Sequence, residues 1–398
     1  MKICFFVYNL FNIGGIQRVV SVLASELAKK HEVYIQCYDA PEKADRSIYG
    51  LSNRVRVVFA RRKRSQSIVR RILRKLNQKS GVLCFPFLRA LCEYSYLLPE
   101  ECQAYRSIIE KKGIDVAIVC GGLESFILAS IADQVKCKTI GWQHSSYKAY
   151  YETRGVACWG ADSVAVKYLP KLDRVVVLNE YDAACYMKHK KIPCTTIYNP
   201  KSFCTKQQAR LSSKGFIAAG RLIPLKAFGL MIESFRIFAQ QNKEWTLTIY
   251  GTGIEKQMLE RKIREYGLEN RIFLPGFSDK MQENLLASSC YLLSSLWEGM
   301  PMVVLEALEC GVPVVAYNIS AMLPLVENGV EGFIVKQFDT EKFAQAMLDI
   351  AADDKLRQQM GQAAKKKAKK FDVAYIARQW EEMFCALISD EKEGKARG

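Results

Sequence analysis

Two glutamates eight positions apart, Glu298 and Glu306, sit in the stretch SSLWEGMPMVVLEALECGVPVVA, Ser294 to Ala316. Its pattern is the end of an apolar strand, a glycine–proline turn, a helix from Val303 to Cys310 stopped by Gly311, and the start of the next strand. That spacing puts Glu298 on the turn and Glu306 about one and a half helical turns inside, both at the carboxyl edge of a parallel sheet, where such sheets bind ligands. A carboxylate accepts hydrogen bonds from sugar hydroxyls. The amides of Gly299, Met300, Pro301 (which lacks an N–H) and Met302 lie at a helix N-terminus, which favours phosphate. The pattern therefore asks for a hydroxyl-rich ligand that also carries an anion, such as a nucleotide-sugar. Arg221 and Lys226 share a second strand-to-helix turn, GRLIPLK, and suit a diphosphate, the arginine as a fork and the lysine as a point charge. His144 follows the apolar run Lys138 to Trp142, again at a strand's carboxyl end.

The elements that must position these groups alternate strand and helix through the whole chain. Strands are expected at Lys2–Val7, Glu32–Tyr38, Val55–Ala60, Asp115–Cys120, Lys138–Trp142, Arg174–Leu178 and Thr195–Tyr198, with Asn179 capping the helix after the sixth. Gly14-Gly15 opens the first helix, where the backbone must approach something closely or simply needs room to turn. The alternation restarts at Phe216–Ala219 and continues through Trp245–Tyr250, Arg271–Leu274, Tyr291–Leu293, Val312–Ala316 and Gly332–Val335, with Gly251 and Gly253 after the second of these. The expected organisation is a first domain over 1–200, a polar linker over 201–213, a second domain over 214–371 and a final segment 372–398 whose helix is apolar at Val373, Ile376, Trp380, Phe384 and Leu387.

The run S-x-x-E-G-x-P-x-x-x-x-E-A-x-x-x-G-x-P-V-V closely resembles the signature of the retaining glycosyltransferases of family 4, and G-R-x-x-x-x-K resembles that family's diphosphate-binding turn. The resemblance spans the chain and is most specific in the second domain. It implies the GT-B fold, two Rossmann-like α/β domains facing a cleft, with the last helix crossing back to the first domain. It implies a retaining transfer from a nucleotide-diphosphate sugar, with UDP-hexose or UDP-N-acetylhexosamine as the usual donor. By the same likeness Glu306 holds the ribose, Glu298 and the following amides hold the donor sugar, and Arg221 and Lys226 take the diphosphate. Gly14 and Gly15 lie beside donor and acceptor, Gly251 and Gly253 shape the base pocket, and His144 contacts the donor sugar. No cofactor and no metal are expected. The tyrosines after His144 (Tyr147, Tyr150, Tyr151) suit either an acceptor loop or a core.

The net charge of +17 is uneven. From Arg54 to Cys92 there are many cations and no acidic residue. The segment 61–98, which overlaps this stretch, has an apolar stripe, Ile68, Val69, Ile72, Leu73 and Leu76, set among Arg61, Arg62, Lys63, Arg64, Arg70, Arg71, Arg74 and Lys75. Those cations are expected to face an anionic membrane surface; the competing reading packs the stripe on its own domain. The expected acceptor is accordingly a lipid-linked or surface glycan, and the expected location is the cytoplasm, peripheral on the inner face of the plasma membrane. No apolar run is long enough to span a bilayer. Fourteen cysteines without a C-x-x-C pair, and only three histidines, argue against a zinc site or a disulfide framework. Two other readings remain: an epimerase or phosphorylase on the same fold, which the paired motifs disfavour, and a nucleic-acid binder, which has charge in its favour but none of the motifs, so no nucleic acid is expected as a partner.

Overall fold

A computed structural model describes residues 1–60, 68–156 and 158–396. The chain divides into two compact units, Met1–Pro200 together with Val373–Gly398, and Lys201–Asp372. Each is a parallel sheet dressed with helices.

In the first unit the strands are β1 (Lys2–Phe6), β2 (Glu32–Cys37), β3 (Arg56–Phe59), β4 (Val116–Cys120), β5 (Lys138–Trp142), β6 (Arg174–Val177) and β7 (Thr195–Thr196). They run in the order β3-β2-β1-β4-β5-β6-β7, each neighbour parallel to the next. The helices are α1 (Gly15–Leu27), α2 (Ile68–Ser80), α3 (Arg89–Tyr96), α4 (Pro99–Lys112), α5 (Gly122–Ile131), α6 (Asp162–Tyr168) and α7 (Glu180–Lys190). β4, VAIVC, is buried at every residue, as a central strand covered on both faces must be. Asn179 does cap α7, its side-chain oxygen accepting from the Asp182 amide at 2.8 Å.

The second unit has β8 (Gly215–Ala219), β9 (Thr246–Tyr250), β10 (Ile272–Gly276), β11 (Cys290–Leu293), β12 (Val314–Tyr317) and β13 (Gly332–Val335), in the order β10-β9-β8-β11-β12-β13, again all parallel. Its helices are α8 (Phe228–Gln241), α9 (Lys256–Glu265), α10 (Met281–Leu286), α11 (Met302–Glu309), α12 (Thr340–Ala352) and α13 (Asp354–Ala368). The strand order reverses beside β8, so the loops after β8, β9 and β11 are neighbours at one sheet edge. Gly311 ends α11 at φ 69°, with the Val312 amide reaching back to the Ala307 carbonyl at 2.9 Å.

α14 (Val373–Ala396) leaves the second unit and packs on the first. Ile376, Trp380 and Phe384 are fully buried, and Trp380 meets Trp142 of β5 edge-on at 4.8 Å. Glu381 accepts from Lys30 Nζ at 2.9 Å and lies 3.0 Å from His31 Nε2.

Segment 201–213 is not the free linker its polar composition suggests. Lys201, Ala209 and Leu211 are buried within the second unit. The cause is α11, whose second acid, Glu309, is 3% exposed and gathers the segment onto the helix. Glu309 takes Lys201 Nζ at 2.5 Å, the Thr205 amide at 2.8 Å and Lys365 Nζ at 2.9 Å. Burial works to raise the Glu309 carboxyl pKa, but these donors outweigh it and bring the value below the usual range. All fourteen cysteines are free.

Candidate active site

The edge formed by the loops after β8, β9 and β11 carries Arg221, Lys226 and Glu298, three of the charged residues that the sequence assigns to the donor. The three loops are knitted by main-chain bonds before any side chain acts. Gly220 N donates to Tyr250 O, Leu222 N to Thr252 O, Glu255 N to Leu222 O and Leu296 N to Leu225 O, all at 2.8–3.0 Å. Gly251 has φ 146°, and a Cβ there would collide with the Gly220 carbonyl oxygen; one at Gly253 would collide with the Leu222 carbonyl. These two glycines therefore make room for the adjoining loop of their own unit, which is why no other residue type fits.

On this frame Lys226 and Glu298 form an ion pair through Lys226 Nζ and Glu298 Oε1. Their side chains are 15% and 14% exposed. Ser295 Oγ donates to the same carboxylate oxygen at 2.7 Å, and Ser294 Oγ donates to the Lys226 carbonyl at 2.7 Å. The serines were not picked out from the sequence, although both open the motif that contains Glu298. Gln337 adds a bond from Nε2 to the Leu296 carbonyl at 2.7 Å, and nothing in the local sequence marks it. Arg221 is exposed on the same turn as Lys226 and has no partner among the described residues.

Gly299, Met300, Pro301 and Met302 are buried at the start of α11, with Pro301 at the N-cap. The amides of Met302 and Val303 fall in the first helical turn, where no intrahelical acceptor exists. Glu306 lies deeper than its spacing alone implies: it is 1% exposed and accepts from Ser202 Oγ at 2.8 Å. Ser202 is a further residue that sequence reasoning passed over, having been read as linker.

In the first unit, Gly14, Gly15 and His144 follow β1 and β5 at one sheet edge, with β4 between. The Gly14 amide donates to Tyr49 Oη at 2.7 Å, and the nearest atoms a side chain there would meet belong to Gln17. Gly15 is the exposed first residue of α1. His144 packs against Trp142 with the rings tilted and their centres 4.2 Å apart, and its Nε2 is buried with no partner among the described residues. Burial pushes the imidazole pKa down to about 3, so it is neutral at any ordinary pH and can act only by hydrogen bonding. Glu124, at the start of α5 after β4, has its carboxyl pushed up to about 7 by burial.

Tyr147, Tyr150 and Tyr151 belong to the core. All three are buried, and Tyr147 and Tyr151 pack on Tyr186 at 5.1 and 5.7 Å, so the acceptor-loop alternative does not hold. Of the basic segment, Arg61, Arg62, Lys63 and Arg64 lie outside the described residues. Arg71 and Lys75 of α2 are exposed, Arg74 is partly exposed, and Arg70 is bonded to the Leu97 carbonyl at 2.8 Å. The stripe residues Ile68, Val69, Ile72 and Leu76 are exposed, and only Leu73 packs inward, so the stripe does not pack on its own domain. Among the described residues no helix is long and apolar enough to cross a membrane, and no cluster of side chains fits a metal ion.

Residues 204–367, which span this edge, match the family model of the glycosyl transferases group 1. The second unit is a glycosyl transferases group 1 domain. The chain is 27% identical over 281 residues to an uncharacterized glycosyltransferase of Haemophilus influenzae, covering 69% of this chain and 77% of that protein. It is 31% identical over 144 residues to the UDP-Gal:alpha-D-GlcNAc-diphosphoundecaprenol alpha-1,3-galactosyltransferase of Escherichia coli, covering 35% of this chain and 37% of that one. Among solved structures, a point mutant of Staphylococcus aureus TarM, crystallised with fondaparinux, alpha-GlcNAc-glycerol and UDP, superposes at TM-score 0.75 with 16% identity, covering 96% of this chain and 99% of that one. The fold is therefore GT-B, and the chain is a glycosyltransferase.

Proposed function

We propose that this glycosyltransferase moves a hexose or N-acetylhexosamine from a UDP-sugar to a glycan acceptor, lipid-linked or on a surface polymer, with the anomeric configuration retained. The observation that carries the reading is the grouping of Arg221, Lys226, Glu298 and the α11 N-terminus at one sheet edge of the group 1 domain. Two cations and a helix N-terminus match a diphosphate, and a carboxylate among them matches sugar hydroxyls. The UDP of the E. coli relative's donor and the UDP bound to TarM support the same donor class, and the diphosphoundecaprenol in that relative's name supports a lipid-linked acceptor.

In this reading the donor diphosphate takes Lys226 from Glu298, and Arg221 joins it. Glu298, freed, accepts from the sugar hydroxyls, and Glu306 accepts from the ribose. The bond from C1 to the diphosphate oxygen breaks, and negative charge builds on a leaving group already faced by two cations. The acceptor hydroxyl attacks C1 from the same side. Its proton passes to the departing phosphate oxygen, leaving the glycoside and UDP. Arg221, Lys226 and the α11 amides supply the electrostatic stabilisation, so turnover is expected to persist in chelator.

The test is a thermal-shift panel of UDP, GDP, ADP, CMP and their sugars without added metal. A ligand that binds only the folded state raises the melting temperature by mass action. A rise with UDP and its sugars alone is the expected result, and Glu306→Ala should remove it while the protein stays folded. A rise confined to another nucleotide, or an unchanged response in Glu306→Ala, overturns the donor assignment.

A further inference from the structure

We propose that the α2–α3 face of the first unit docks on an anionic lipid bilayer, with α2 lying in the plane of the interface. The inference rests on this face alone and stands whichever sugar is transferred.

α2 is firmly held on one side. Asn77 is fully buried; its Nδ2 donates to the Gly160 carbonyl at 2.7 Å, and its Oδ1 accepts from the Leu83 amide at 2.8 Å. Leu73 packs into the core beside it. The Arg70 guanidinium sits 4.2 Å from the centre of the Tyr94 ring of α3. With those residues turned inward, the opposite arc is fixed outward. Along one part of that arc run Ile68, Val69, Ile72 and Leu76, each about half exposed or more. At 3.6 residues per turn they form one stripe roughly 100° wide, and Arg71, Lys75 and Lys79 border it. The turns after α2 add Phe85 and Phe87, stacked at 5.7 Å; Phe87 is 81% exposed. Leu91 and Tyr94 of α3 extend the apolar surface.

A contiguous run of exposed large apolar side chains is the mark of an interaction surface. The charge beside it decides which. From Arg54 to Cys92 the chain has no acidic residue. The first acid beyond, Glu93, is already taken by Arg89, Lys167 and Tyr168 at 3.1, 2.8 and 3.0 Å. A stripe of large apolar side chains with cations along its border is complementary to acyl chains beneath a layer of phosphate headgroups. A protein partner would have to be acidic and apolar in the same alternation; an anionic bilayer is both by construction.

The test is co-sedimentation of the full chain with vesicles of phosphatidylcholine, alone and doped with phosphatidylglycerol. Binding is expected to the doped vesicles and to weaken as salt rises. Arg71→Gln and Lys75→Gln should each lower the affinity about fivefold. Ile72→Glu should lower it about tenfold or more, because a side chain that enters the acyl region becomes a buried charge. All three side chains are exposed, so the melting temperature and the response to UDP should not move; Phe87→Ser, at a yet more exposed site, repeats the apolar test should Ile72→Glu misfold. Absence of binding, equal binding to both vesicles, or wild-type binding by Ile72→Glu and Phe87→Ser overturns the proposal. So does self-association that Ile72→Glu abolishes while vesicles are ignored, which would make a second copy the partner.

Discussion

At the scale of single residues, the Lys226–Glu298 pair is the point on which donor binding turns. Each side chain holds the group the other needs to release, so the pair keeps a cation and a carboxylate poised without leaving either unpaired. Lys226→Ala should lower turnover about 10²–10³-fold, the loss typical when one preorganised donor facing developing negative charge is removed. Its effect on melting temperature should be much smaller, since both groups keep some solvent contact. Steady-state kinetics and a melting curve on the same preparation check this; near-normal kcat would mean that Arg221 and the α11 amides carry the diphosphate alone. Glu124 offers a pH test. Its folded pKa of about 7 exceeds the ordinary 4.5, so between those values the folded chain binds more protons than the unfolded one. Stability should therefore fall as pH rises through that window. Glu124→Gln should leave the melting temperature unchanged at the acid end and raise it above neutrality; a shift of equal size at both ends would place the carboxyl in a solvated setting.

At the scale of elements, α11 is held by more than its own sheet. Glu306 and Glu309, three positions apart on the helix, bind Ser202, Lys201 and Thr205. The strap formed by 201–205 thus fixes the carboxylate proposed to hold the ribose. Ser202→Ala should cost about 1 kcal/mol of stability and raise the donor KM with kcat nearly kept. Wild-type KM in a variant that melts early would make Ser202 a structural bond only. The sequence made the strands, the glycine-stopped α11 and the Arg221–Lys226 turn legible because hydrophobic alternation and turn residues act locally. Segment 201–213 misled because its polar side chains look solvated until their partners, Glu306 and Glu309 a hundred residues later, are known. The tyrosines after His144 were equally ambiguous, since an aromatic run reads the same whether it faces a sugar or Tyr186. The stripe on α2 was visible as a pattern, but whether it was covered depended on neighbours that no local pattern reveals.

At the scale of the whole molecule, the last helix belongs to the first unit. Trp380 is fully buried against Trp142 and meets the tilted ring of Phe384 at 5.8 Å. Trp380→Ala should destabilise the first unit by about 3–5 kcal/mol, the usual cost of emptying a large aromatic site. UDP should still protect the second unit, whose sheet Trp380 does not enter. Hydrogen exchange read unit by unit checks the asymmetry; equal loss of protection in both units would mean that they unfold as one.

That helix also sets an order on the birth of the protein. His31 meets Glu381 across 350 positions of chain. At a synthesis rate of about 5–20 residues per second, the half of the molecule that leaves the ribosome first waits tens of seconds for the piece that closes it. The first unit is thus begun first and finished last, and for that interval the groove around Trp142 stands open to chaperones, while the second unit has every residue it needs before α14 exists.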